Sequence, residues 1–196
     1  LLAFLALTLA SVAFMLVPAP ETSTELAVTD FVHFESGHVR PAVLTPDGQR
    51  LLVVNTSDNR LSVFDLTSAA PTRIAEIPVG LEPISVACLD DHTAWVVNHL
   101  SDDVSVVDLD APNVRATLWV GDEPGEVVFA GTPTRAYASV SQEDVVKVYD
   151  PASLGAPVAT VPIDGRLPRA LARNADGSSV YVAVLTAGNR TSVVPF

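Results

Sequence analysis

The sequence contains very little cysteine, and this excludes several classes of protein. Cys88 is the only cysteine among 196 residues, so no disulfide can form within the chain. A thiolate metal cluster, a paired redox motif and a Cys-x-x-Cys-His haem attachment site are excluded for the same reason. Cys88 stands in the apolar stretch 85–89, which predicts a buried small side chain rather than a nucleophile.

Basic residues are also scarce. The chain has 11 basic residues against 23 acidic ones, a formal net charge of −12, and Lys147 is its single lysine. These basic residues are scattered singly, whereas a protein that binds nucleic acid needs a positive patch for the phosphates. We therefore expect no nucleic-acid partner.

An apolar stripe of helical period is missing as well. Short β-branched runs alternate instead with turn residues, which is typical of strands. The chain is 48% hydrophobic and 17% charged, a composition of globular rather than disordered proteins. The sequence therefore predicts an all-β fold with a substantial core.

A long uncharged apolar run occupies residues 1–17 and ends in Pro18-Ala19-Pro20. Its length suits either a signal peptide or an N-terminal membrane anchor, so residues 1–20 are interpreted as one of these, followed by a polar linker at 21–27. Both alternatives predict that the rest of the chain is extracytoplasmic, whether periplasmic, secreted or at the cell surface. If the segment is a membrane anchor, it also attaches the protein to the membrane.

The remaining sequence is an internal repeat of about 42 residues. Its units open on prolines that are 42, 41 and 44 residues apart: Pro41, Pro83, Pro124 and Pro168. Three of the units close on an aspartate with a similar spacing: Asp65, Asp108 and Asp150. The repeat divides the region 28–196 into blades at about 40–80, 82–122, 123–165 and 167–196.

Each unit reads as a four-stranded antiparallel sheet with strands A to D. In the first unit the strands are predicted at 41–45, 51–55, 61–65 and 73–78, with turns at 46–48 and 56–59. The run Leu51–Val54 is continuously apolar, as expected for a sheet that is covered on both faces. Four-stranded units of this length predict a β-propeller rather than a linear solenoid.

The segments at 45–51, 53–66 and 95–109 resemble the YVTN-type, YncE-like propeller repeat of bacterial and archaeal cell-surface proteins. The resemblance extends from about residue 38 to residue 196. It implies a ring of seven or eight blades, of which four are present here, and mostly non-catalytic surface roles. Some propellers of similar type are lactonases, quinoproteins or partners of cytochrome domains, but none of their catalytic motifs is visible in this sequence.

Candidate ligand-binding residues lie in the D–A and B–C connections, which should meet at one end of the blades. They are His38, Arg40, His99, Arg166 and Arg169. The arginines could hold an anion, or could instead pair with acids such as Glu82 and Glu123. The histidines are interpreted as solvent-exposed loop residues. A metal or acid–base role would require them to converge with Asp102, Glu123 or Asp144.

The other polar positions predict structure rather than chemistry. The acidic pairs, such as Asp102-Asp103 and Glu143-Asp144, are interpreted as solvated turns, and Asn55 and Asn98 as residues that hydrogen-bond their own turns. No catalytic residue, metal site or cofactor is predicted.

The function expected from the sequence is a binding or scaffolding module that presents its loop face to a protein, glycan or cell-envelope partner. The alternative is a propeller enzyme, either a lactonase-like hydrolase or an oxidoreductase subunit, completed by further blades or an added domain. Purely structural self-assembly in a surface layer is a third interpretation.

The segment 28–34 alternates like an outer D strand with no A, B and C strands before it. A propeller can close by pairing such a strand with its last blade, whose strand C is predicted at 191–194. An open arc of four blades is favoured here over a closed four-bladed ring, because repeats of this kind usually form larger rings.

Overall fold

The structure, a computed structural model, describes residues 35–187. Strands and their connections make up the described residues, with no helix among them. Accordingly, no helix in the described part of the chain is long and apolar enough to cross a membrane. The predictions for 1–20, 21–27, 28–34 and 191–194 fall outside the described residues and stay predictions.

The strands form successive antiparallel sheets. Blade 1 contains β1 (Ala42–Leu44), β2 (Arg50–Asn55), β3 (Arg60–Asp65) and β4 (Thr72–Pro78). Blade 2 contains β5 (Pro83–Cys88), β6 (Thr93–Asn98), β7 (Asp103–Asp108) and β8 (Asn113–Trp119). Blade 3 contains β9 (Pro124–Ala130), β10 (Arg135–Val140), β11 (Val145–Tyr149) and β12 (Ala159–Pro162). The described part of blade 4 is the pair β13 (Arg166–Arg173) and β14 (Val180–Thr186).

This order confirms the predicted strands of blade 1 to within a residue or so at each end. It also confirms the turn at 46–48, where Gly48 has a φ of 70° and donates its N–H to Thr45 O. The matching turn of blade 4 places Gly177 at the same φ. Glycine suits both positions because it adopts a positive φ without a steric penalty.

The core lies between neighbouring sheets. Successive side chains of a strand point to opposite faces, so in β6 Trp95 and Val97 pack against blade 3 while Ala94 and Val96 pack against blade 1. The Trp95 ring meets the Phe129 ring edge to face, with centroids 5.5 Å apart. A smaller cluster around Val128, Val146 and Leu171 joins blades 3 and 4. The apolar runs are continuous because both faces of each inner strand are covered.

Adjacent blades are also tied by a hydrogen bond that recurs at one position of the repeat. The residue that follows strand B bonds to the carbonyl of the proline that opens the next blade. The three ties are Thr56 Oγ1 to Pro83 O at 2.7 Å, His99 Nδ1 to Pro124 O at 3.0 Å, and Ser141 Oγ to Pro168 O at 2.9 Å. The ties confirm that B–C and D–A connections meet at one end, which we call the loop face.

Four-stranded antiparallel sheets packed in succession through both faces are the blades of a β-propeller-type fold. The expected fold class is therefore confirmed.

Removing one of these ties should destabilise the chain. We expect Ser141→Ala to lower the free energy of unfolding by about 1–2 kcal/mol, because it leaves a buried carbonyl without its donor. The control is Ser153→Ala, an exposed serine whose hydroxyl lies 3.4 Å from Asp150 O, with an expected change within about 0.5 kcal/mol. Urea unfolding of both variants measures the difference, and equal losses would contradict the role of the tie.

Candidate functional site

The loop face brings together some of the predicted ligand-binding residues and separates others. His38 is exposed, and its Nε2 lies 2.6 Å from Thr56 Oγ1. Arg169 is half-buried and donates from Nη2 to Gly37 O at 2.5 Å. These two side chains line one cleft, between the segment before β1 and the sheet of blade 4. Their role in binding stays a prediction.

Arg40 lies closer to the innermost strands. Its Nε is 2.7 Å from Glu126 Oε1, and its Nη2 donates to Leu171 O at 3.1 Å. Arg40 therefore pairs with an acid, as one of the two interpretations of the arginines had it, but the acid is Glu126 of β9 and not an acid of a D–A connection such as Glu82 or Glu123. The segment that carries Arg40 pairs in parallel with β5, which places the side chain near β9 and β13 instead.

Arg166 lies apart from the cleft. Its side chain is 72% exposed, and Nε is 2.8 Å from Asp144 Oδ2 rather than beside Glu82 or Glu123. An ion pair this exposed contributes little to stability, because water screens it.

His99 is not a solvent-exposed loop histidine, so that interpretation is wrong. Its side chain is buried, Nδ1 contacts Pro124 O, and Nε2 lies 3.9 Å from Glu123 Oε2. The burial follows from its position after strand B, where Thr56 and Ser141 make the same tie in their blades. Aligning the three units at this position is the sequence signal that identifies the structural role of His99.

The acidic turns are only partly solvated, so their interpretation needs a correction. Asn59, Asp102 and Asp144 occupy the same turn position, and all three have a positive φ. Each side chain accepts the N–H of the residue that precedes the opening proline of the next blade. The donors are Glu82 N at 2.8 Å, Glu123 N at 3.1 Å and Leu167 N at 2.8 Å. Asparagine and aspartate suit this position because they tolerate the left-handed conformation.

Asn55 hydrogen-bonds its own turn, as predicted, whereas Asn98 bonds to side chains of β7. Asn55 Oδ1 accepts the N–H of Asp58 at 3.3 Å, within its own turn. Asn98 Nδ2 donates to Asp103 Oδ1 at 2.6 Å and to Ser105 Oγ at 2.9 Å.

A second cavity of about 490 Å³ lies among the inner strands of all four blades. Arg40 and Cys88 contribute to its lining, together with residues from the ends of β9 and β13. Glu126, the acid that pairs with Arg40, is almost fully buried in β9. Burial raises the pKa of Glu126, while its hydrogen bond from Leu171 N and the Arg40 charge oppose that rise.

Glu126 was missed by the sequence reasoning, although the repeat carries a signal. Two residues after the opening proline, the other blades have Val43, Ser85 and Ala170. Glu126 is therefore the exception at a repeat position that is small or apolar in the other three blades. Its partners come from distant parts of the chain, and for that reason they could not be derived from local pattern.

Cys88 is half-buried rather than fully buried, which corrects the expectation for this residue. Burial raises the pKa of its thiol to about 12, with a further increase from the nearby Asp91 charge. A thiol with this pKa is a poor nucleophile at neutral pH.

Within residues 35–187, no group of three or more histidine, cysteine, aspartate or glutamate side chains is arranged to hold a metal ion. His92 pairs with Asp110 at 2.7 Å on the opposite end of blade 2, and both side chains are exposed.

The raised pKa of Glu126 predicts a specific pH dependence of stability. The Glu126 carboxyl keeps its proton in the folded chain over a pH range in which the same carboxyl has lost it in the unfolded chain. The stability due to the group is therefore complete below the ordinary pKa of 4.5 and is lost as pH rises through the raised folded pKa. We expect Glu126→Gln to remove the loss of stability that the wild type shows as pH rises above 4.5.

Urea unfolding of Glu126→Gln and wild type at several pH values measures the difference. The control is Glu76→Gln, which removes one glutamate charge from an exposed ion pair with Arg73 and so matches the change in net charge. The same pH profile for both variants would show that Glu126 has no special influence.

The raised pKa of Cys88 predicts slow alkylation in the folded chain. At pH 8, a shift from 9.0 to about 12 lowers the thiolate fraction by roughly a thousandfold, so iodoacetamide should label Cys88 far more slowly in buffer than in denaturant. Mass spectrometry of timed samples measures both rates. Equal rates would contradict the raised pKa.

Comparisons with known proteins identify the fold and not the family. No protein-family model matches the chain, and no curated protein matches it either. It is similar to the structure of Kuenenia stuttgartiensis hydrazine synthase, with 24% identity over 82% of this chain and 46% of that one and a TM-score of 0.69. A functionally unknown protein from Desulfotomaculum acetoxidans has 15% identity over 76% and 49%, with a TM-score of 0.68.

A putative 6-phosphogluconolactonase from Bacteroides uniformis has 18% identity over 79% of this chain and 52% of that one, with a TM-score of 0.63. The chain thus spans about half the length of these three structures. Identities this low are evidence of a shared fold alone, and that fold is the β-propeller type.

Proposed function

We propose that this chain is an extracytoplasmic propeller module of the YVTN, YncE-like type that binds a protein, glycan or other cell-envelope partner through its loop face. The apolar segment at residues 1–17 and the repeat motifs motivate the location and the family. The binding role rests on the exposed side chains of blade 2.

Blade 2 has a described blade on each side, so a missing neighbour does not explain its exposed apolar residues. The large ones in and just before this blade are Leu81, Leu100 and Trp119, with 48%, 61% and 69% of their surfaces exposed. All three lie at the loop face. Leu100 N donates to Leu81 O at 3.2 Å, and Trp119 pairs in register with Asp103 at the start of β7.

Trp119 is held in a polar setting that suits recognition. Lys147 Nζ lies 5.2 Å from the centre of the indole ring and 2.7 Å from Glu143 Oε2. An exposed tryptophan with a cation over its ring provides a large apolar contact with restricted motion, and such residues are enriched where proteins bind partners. The exposure of Trp119 beside Leu81 and Leu100 at the loop face is the single observation that carries the proposal.

Cosedimentation of the chain with isolated envelopes of its source organism tests the proposal. We expect the wild type to bind saturably and Trp119→Ala and Leu100→Ser each to weaken binding by tenfold or more, since central aromatic and apolar anchors commonly contribute about 2 kcal/mol or more. The control is Ile74→Ser, which removes a similarly exposed apolar side chain from β4.

Equal weakening by Ile74→Ser would show non-specific adhesion and contradict the proposal. Hydrolysis of a lactone panel, or dye reduction, that depends on loop-face residues would also contradict it and would favour an enzyme.

A further inference from the structure

The segment before β1 is attached to blade 4 at two points. Arg169 Nη2 donates to Gly37 O at one end, and Arg40 Nη2 donates to Leu171 O at the other. His38 and Val39 lie between these two points. A cleft of about 300 Å³ separates them from β13 and β14.

We call this space the 37–39 cleft. It is lined by His38, Val39, Arg169, Ala170, Ala183, Val184 and Leu185. Leu185 is 73% exposed within the described part of blade 4, which places a large apolar side chain at this wall. The volume is at the lower end of the range of about 300–1,000 Å³ that is usual for small-molecule sites.

The charge of the cleft contrasts with that of the chain. The described lining contains an arginine and a histidine but no aspartate or glutamate, although acids outnumber bases by 23 to 11 in the whole sequence. A strongly acidic protein repels anions in general, so a locally basic cleft is where an anion is least disfavoured. The lining therefore complements a ligand with a negative head group and an apolar body.

The hydrogen bonds of the two basic residues assign the head group to Arg169. Thr56 donates its hydroxyl hydrogen to Pro83 O, so it accepts from His38 Nε2. In the neutral ring Nδ1 is then an acceptor, which disfavours a carboxylate beside it. Arg169 uses Nη2 for Gly37 O, and a guanidinium has five N–H donors and a permanent charge.

We propose that the 37–39 cleft binds a medium-chain aliphatic carboxylate, with the carboxylate on Arg169 and the chain along Val184 and Leu185. This inference goes beyond the proposed function, because the site takes a small molecule on blade 4 and does not involve the exposed residues of blade 2.

Isothermal titration of the chain with octanoate tests the ligand class. Butyrate keeps the charge and shortens the chain, and octanol keeps the chain without the charge. We expect saturable octanoate binding and at least tenfold weaker binding of each control, because butyrate buries fewer methylenes and octanol lacks the charge that pairs with Arg169. Absence of saturable octanoate binding, or equal binding of all three, would overturn the proposal.

Matched variants test the location. Arg169→Gln should weaken octanoate binding tenfold or more, whereas Arg166→Gln, the same change in the same strand but at the exposed pair with Asp144, should leave it unchanged. Leu185→Ser, which does not touch the Gly37 contact, should weaken octanoate more than butyrate. Equal effects of the two arginine variants, or no effect of Leu185→Ser, would overturn this site even if Arg169→Gln disturbs folding.

Discussion

Contact between the faces of neighbouring blades is the constraint on which the rest of this structure depends. Each inner strand is apolar on both sides, so a single sheet would leave two apolar faces in water and could not be stable alone. In β6 this requirement is met in both directions, with Trp95 buried against blade 3 and Val96 against blade 1. Because the sheets must stack in this way, their B–C and D–A connections are brought to one end, and the loop face follows from the packing.

The polar residues of the loop face also hold the blades together. His99 and Asp102 both bond across to the start of blade 3, and Thr56 makes the equivalent bond to blade 2. A histidine or carboxylate in these connections is therefore not by itself a sign of a ligand site. The side chains whose exposure is not explained in this way are the apolar ones of blade 2, and this is why the proposed function rests on them.

The sequence predicted the strands and turns well because those depend on local pattern. Leu51–Val54 is apolar throughout and Gly48 needs a positive φ, and each signal lies within a few residues. The environments of His99 and Glu126 were not predicted, because their partners are 25 residues or more away in the sequence. The site was therefore only partly predictable: His38 and Arg169 share a cleft as loop-face candidates, whereas Arg166 and His99 do not join them.

The structure shifts the pKa values of the acidic residues in two opposite directions. Turn aspartates such as Asp65 and Asp108 accept backbone N–H groups, which lowers their pKa and favours the charged form. Glu126 is instead raised in pKa by burial and is held by Arg40. Because the exposed acids stay ionised at neutral pH, they surround the molecule with negative potential. Any anion that binds must overcome this potential locally, and the 37–39 cleft combines a permanent positive charge with an acid-free described lining.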